Sequence, residues 1–305
     1  MRGIAGFAMR GELAAASMAA LFAILGLNFA PLLLISGAVI GLVTLRHGVL
    51  AVTKVALLGA IGTAAFMLLA VGKVGLAGLV VLLPWVPVAS AAQVLSRTGL
   101  PGRAIAVIAM FVMGFSWSIR QAAPDIDGFW RERMTALVKA ISEQGGQAML
   151  SSEEIAALAG HMHQASLGVM MMALTGMLLM ARWWQSSLYR PGAFGEEFRA
   201  MTLPLWPLPV AGAVALVAYS AGSASEIGKL SGDVVAVLML LFAVQGLAIA
   251  HERVKSTHGR RSWLIGIYVA AALLPQLAAS VLAVIGMADY LVDFRQLRRK
   301  KAGGL

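Results

Sequence analysis

The feature that most limits what this chain can fold into is a series of apolar runs. Each carries little or no charge, and each approaches the roughly 20 residues that a helix needs to cross about 30 Å of hydrocarbon. They fall at about 12–27, 31–45, 49–71, 75–95, 103–119, 163–182, 203–221 and 232–250, followed by a longer segment at 263–294. With 60% of the 305 residues hydrophobic and 12% charged, the chain lies outside the range of soluble globular domains. It uses lipid as its solvent. Unpaired backbone groups find no partner there, and the short alternating strands of a barrel are missing from the pattern, so the runs are helical. The expected fold is all-α, a polytopic transmembrane helix bundle of about 8–10 spans.

Several function classes fall away early. Arg2 and Arg10 precede the first run, as in a secretory signal, but further spans follow at once and an uncleaved helix is expected. The chain has no cysteine, which excludes disulfides, thiolate nucleophiles and Cys-type metal sites. A net charge of +10 would suggest nucleic acid in a soluble protein. Here the bias of Lys and Arg toward cytoplasmic loops accounts for it, and the lipid bilayer is the expected partner. Asp125-Ile126-Asp127-Gly128 has the start of a calcium loop, yet Ala136 stands where the closing Glu belongs. Gly72-Lys73 lacks the rest of a P-loop, and His161 and His163 turn to different helix faces. No cofactor and no metal is expected.

With residue 1 in the cytoplasm, most basic residues fall on the cytoplasmic side, among them Arg46, Arg97, Arg103, Arg182, Arg190 and Arg253. The basic tail fits that side too. Nine spans would leave it outside, so the segment at 263–294, with Pro275 and Gln276 near its middle, is expected to form a helical hairpin rather than one kinked helix. The sizeable extramembrane piece is 121–160. Residues 126–144 have amphipathic spacing, and Ser151 with Glu154 makes a capping box for a second helix. This cap lies in the headgroup plane or serves as a substrate lid.

Three groups of residues are candidates for function. Ala15, Ala19 and Ala23 form a small-residue face suited to internal packing or to docking another membrane protein. Asn28, Trp85, Trp117 and Arg120 are polar or amphipathic groups in or near spans, and would line an outward ligand pocket near the broken turn Pro84-Trp85-Val86-Pro87. At the far end of the sixth span, Arg182, Trp183, Trp184, Tyr189, Arg190, Glu196, Glu197 and Arg199 make an aromatic and charged connector at headgroup depth. Arg182, Arg190 and Arg199 can meet lipid phosphates or pair with Glu196 and Glu197; Asp289 and Asp293, which with Arg295 share the same face in this topology, are alternative partners for these arginines. Charge inside the spans is scarce, which argues against a proton relay or ion pump.

RWWQSSLYRPGAFGEEFR and GMADYLVDFR, the latter before a basic tail, resemble the YybS-like family of uncharacterised multi-pass bacterial membrane proteins. That resemblance implies an inner-membrane location and no established activity. Residues 1–185 are similar in plan to the S components of energy-coupling-factor vitamin transporters, with an alanine-rich first helix and the start PLLLISGAVIGLVTLRHG. The likeness implies a six-helix core that binds a small molecule from outside and docks a partner through Ala15, Ala19 and Ala23. Residues 186–202 are then a cytoplasmic connector, and 203–305 carry further helices and the tail. Two readings follow: a small-molecule-binding, transport-related subunit, or a scaffold that organises lipid or partner proteins. An enzyme ranks behind both, because no nucleophile, base and orienter are visible at one membrane depth.

Overall fold

A computed structural model describes residues 2–72, 75–123, 125–144, 151–222, 225–256 and 262–292. Their ordered elements are all helices: α1 (Arg2–Ala8), α2 (Glu12–Gly26), α3 (Leu32–Val71), α4 (Gly75–Thr98), α5 (Pro101–Ala122), α6 (Ile126–Glu143), α7 (Ser152–Tyr189), α8 (Ala193–Arg199), α9 (Pro207–Ala221), α10 (Glu226–Ser256), α11 (Ser262–Leu273) and α12 (Pro275–Val292). Four stretches are long and apolar enough to cross a membrane: Leu32–Ala70, Pro101–Ala122, Ser152–Tyr189 and Glu226–Ser256.

The run of α3 is two limbs. Gly48 has φ 81°, a left-handed conformation that suits glycine and reverses the chain. The neighbours of α2 show the reversal. Ser36 Oγ donates to the Ala19 carbonyl at 2.8 Å and Leu33 crowds Gly26, so the first limb is antiparallel to α2. Lys54 meets Glu12 at 3.5 Å and Gly59 faces the Ala16 carbonyl, so the second limb is parallel to it. Residues 31–45 and 49–71 thus fall on separate, oppositely directed helical limbs.

Small residues set the close contacts. Gly37 faces Met177 and Gly41 faces Ala181, which brings the first limb of α3 against α7. Ala15, Ala19 and Ala23 are buried against the chain's own α3. That face is used up in internal packing and offers no outward docking surface. The insertion is also simpler than the sequence suggests. The Ser151 capping box is present, with Glu154 N–H donating to Ser151 Oγ at 3.2 Å and Ser151 N–H to Glu154 Oε2 at 2.8 Å. The helix it opens does not stop at the membrane edge; α7 continues unbroken from Ser152 to Tyr189. Asp125, half of the discarded calcium motif, caps α6 by accepting from Gly128 N–H at 2.8 Å.

The terminal segment corrects an expectation. Leu274 N–H donates to the Ala270 carbonyl at 2.8 Å, and the Leu274 carbonyl accepts from Ala278 at 3.0 Å. One residue interrupts the ladder where Pro275 lacks an N–H, which gives a bend; an antiparallel hairpin needs a loop of about 2–5 residues. Gly246 faces the Leu282 carbonyl and Gly286 the Phe242 carbonyl, the pairing of antiparallel helices, so α12 is directed away from the connector. The basic tail itself lies outside the described residues.

A Cβ built on Gly286 would lie 2.1 Å from the Phe242 carbonyl oxygen, and nothing lies within 4 Å of one built on Gly266. Gly286→Ala is therefore expected to destabilise by about 1–3 kcal/mol through overpacking. Gly266→Ala should leave the thermal midpoint of the detergent-purified chain unchanged or slightly raised. Equal midpoints for the two variants would disprove the close crossing.

Candidate functional site

Polar residues gather at the two ends of the bundle. Nineteen residues separate Pro101 from Arg120 on α5, His163 from Arg182 on α7, and Asp233 from Glu252 on α10. At about 1.5 Å per residue each interval is about 28 Å, close to the thickness of the hydrocarbon core. Arg120, His163 and Asp233 mark one end; Arg182 and Glu252 mark the other.

At the first end, Asp233 is fully buried and its Oδ2 collects three side chains. Arg120 Nε–H donates at 2.7 Å, Ser116 Oγ–H donates at 2.7 Å, and His163 Nε2 lies at 3.3 Å. Ser116 Oγ and His163 Nε2 are 3.5 Å apart. The local sequence explains the meeting. Ser116 and Arg120 are one turn apart on α5, while His163 and Asp233 sit where the apolar stretches of α7 and α10 begin. Asp233 Oδ1 is buried with no hydrogen-bond partner among the described residues. Above the cluster, Lys229 ties α10 to α6 through Asp127 at 3.1 Å and also meets Glu226 at 3.3 Å. Arg120 Nη1 reaches Glu226 at 4.0 Å.

Ser116, His163 and Asp233 come together here, a grouping not visible in the sequence. Their arrangement differs from a nucleophile relay, in which the carboxylate holds the imidazole nitrogen remote from the hydroxyl. Here hydroxyl, carboxylate and Nε2 converge on one another. The result is a carboxylate clamp joining α5, α7 and α10. A charge inside a span also qualifies the scarcity noted in the sequence. Asp233 and His163 had been assigned to span boundaries, and the available signal was that two opposite charges and a histidine flank three apolar runs on one side.

The pocket residues expected from the sequence do not share an environment. Asn28 lies exposed in the turn after α2, and Trp117 is 56% exposed. Trp85 is buried, with its Nε1–H donating to Ser36 Oγ at 3.0 Å, so it fills the packing between α3 and α4. Arg120 alone of the four enters the polar cluster.

At the other end, the connector folds back on α7. Arg182 clasps Glu197 with both nitrogens, the Nε contact being 2.7 Å, and also holds Gln185. Gln185 donates to the Leu45 carbonyl at 3.1 Å, which fixes the end of the first α3 limb. Arg199 reaches Glu252 at 3.6 Å. Ser186 Oγ donates to the Arg190 carbonyl at 2.8 Å and accepts from Phe194 N–H at 3.1 Å, closing the Pro191-Gly192 turn. Trp183 and Tyr189 are exposed as the interface reading requires, and so are Arg190 and Glu196. Trp184 is 1% exposed and belongs to the core. Of the two sets of partners the sequence offers, Glu197 takes Arg182, while Asp289 accepts from Gln245 at 3.2 Å. Asp293 and Arg295 lie outside the described residues. No family model, no curated protein and no solved structure matches the chain.

Removing one member of the buried pair strands the other charge, at about 3–5 kcal/mol. Arg120→Gln and Asp233→Asn should each lower the thermal midpoint strongly, and the double variant should recover much of the loss. Additive losses in that cycle would show that the two side chains do not interact.

Proposed function

We propose that the chain is a multi-pass protein of the bacterial inner membrane that binds a small polar molecule at the α5–α7–α10 junction, as a transport-related membrane subunit. The observation that carries this reading is Asp233: fully buried, with three groups on Oδ2 and none of the described residues on Oδ1. An ionisable residue within a membrane span is expensive and is a functional-site hypothesis by default. The cap formed by α6 and the overhang of α7, fastened by Asp127 and Lys229, stands over the cluster as a lid would. In this reading the N-terminus and the connector face the cytoplasm, since exposed Arg2, Arg10, Arg46, Arg97 and Arg190 share the connector end while acidic groups crowd the cap.

One observation favours the scaffold reading. The S-component-like part is packed solid around Trp85 and Ser36, with the alanine face consumed inside it. The two readings part on one measurement. The full chain and Asp233→Asn are purified in mild detergent, and co-purifying small molecules are identified by mass spectrometry. A polar compound enriched with the native chain and lost from a folded variant supports the binding site; identical small-molecule profiles reject it and leave the scaffold.

The lack of native cysteines makes sidedness testable. A single cysteine at Ser142 should react with an impermeant thiol reagent on intact cells, and one at Arg190 should react only after the membrane is opened. The reverse pattern would invert the orientation.

A further inference from the structure

The connector end holds a second feature that the proposed binding site does not use. Arg46 closes the first limb of α3, and its guanidinium lies 4.4 Å from the centre of the Tyr189 ring. Arg190 follows directly at the end of α7, with its carbonyl held by Ser186. The bond from Gln185 to the Leu45 carbonyl keeps the two helix ends in register, so both arginines occupy one corner. Both are exposed, and neither has a carboxylate partner among the described residues. Glu197 on α8 and Glu252 on α10 are taken by Arg182 and Arg199, and Glu196, exposed on α8, makes no ion pair with Arg46 or Arg190.

We infer that Arg46, Tyr189 and Arg190 form a binding site for the headgroup phosphate of an anionic phospholipid. Guanidinium groups match phosphate oxygens with paired N–H donors, and the tyrosine ring holds one of them in place. The neighbourhood selects a lipid over a free phosphate. Val49 and Leu50 continue the chain directly after Gly48 with their side chains exposed, and Trp183 is exposed on α7, so apolar surface adjoins the basic corner as an acyl chain requires. The connector is then held from both sides, by Glu197 within the chain and by lipid at its end. This assignment is independent of the Asp233 site, at the opposite end of the bundle.

The experiment uses the full chain, purified from phosphatidylethanolamine with and without added phosphatidylglycerol and examined by native mass spectrometry. Phosphatidylglycerol should be retained over phosphatidylethanolamine. Each arginine near a lipid surface is worth roughly fivefold in affinity, so Arg46→Gln with Arg190→Gln should reduce retention about 25-fold. Arg133→Gln, on α6 at the other end, should leave it unchanged. If the double variant does not yield a folded protein, Arg46→Lys with Arg190→Lys keeps the charge without the paired donors and should still bind measurably less than the native chain. Unchanged retention in both pairs, or no preference for the anionic lipid, would overturn the site. Displacement of the bound lipid by inorganic phosphate would overturn the choice of ligand.

Discussion

The carboxylate of Asp233 sets the terms for the packing of α5, α7 and α10. Withdrawn from water and fully buried, it is tolerable only where donors surround it, and the donors come from two other helices. Arg120 cancels the charge, Ser116 and His163 complete the surroundings of Oδ2, and the three helix axes are fixed at that level. The pair adds little net stability over an apolar substitute, because desolvation offsets most of the Coulomb attraction. Its effect is positional. Three long apolar helices have no hydrophobic drive to associate within lipid, and a polar cluster that functions in one register alone specifies how they align.

Register set at one end must be kept at the other. The Arg182–Glu197 clasp holds α8 to α7, Gln185 holds α3 to α7, and Arg199 with Glu252 holds α8 to α10. Gln245 serves the same purpose deeper in the bundle, taking the Leu203 N–H at 3.1 Å and donating to Asp289. Tyr290 completes that corner with a hydrogen bond to the Pro204 carbonyl. Between the two polar ends the closest approaches between helices fall at glycines, which let backbones come together where lipid provides no other driving force.

Helical class and the placing of the long apolar helices were legible because hydropathy alone decides where a backbone can be left in lipid. Gly48 could be inferred as a break only from Arg46 and His47 between two apolar runs; its φ of 81° marks the kink where the two limbs part. The Ser151 capping box was legible because its chemistry is local. The Asp233 cluster was not, because His163 and Asp233 lie 47 and 117 residues from Ser116 and each alone is an ordinary span-end residue. The sequence leaves Arg182 a choice between Glu197 and the terminal aspartates, and chain distance decides it. Glu197, 15 residues away across the Pro191-Gly192 turn, competes with the terminal aspartates at a far lower loop-closure cost. Trp184 shows the remaining ambiguity, since alternate faces of one helix end separate an interface tryptophan from a core one.

The depth of the cluster follows from the cost of charge in hydrocarbon. A carboxylate at the bilayer centre costs about 2.5–3.5 kcal/mol on the insertion scale, and the cost falls toward the interface. Asp233 opens the apolar stretch of α10, about 28 Å from Glu252, so it is shielded by protein and still one helical turn from Lys229. Burial there is enough to make Arg120 indispensable while leaving a short path to Glu226 and the cap. A carboxylate three turns deeper would be locked away, and one turn higher it would be solvated and would bind its neighbours weakly. The position suits a group that holds three helices in register while lying one helical turn from the charged residues of the cap.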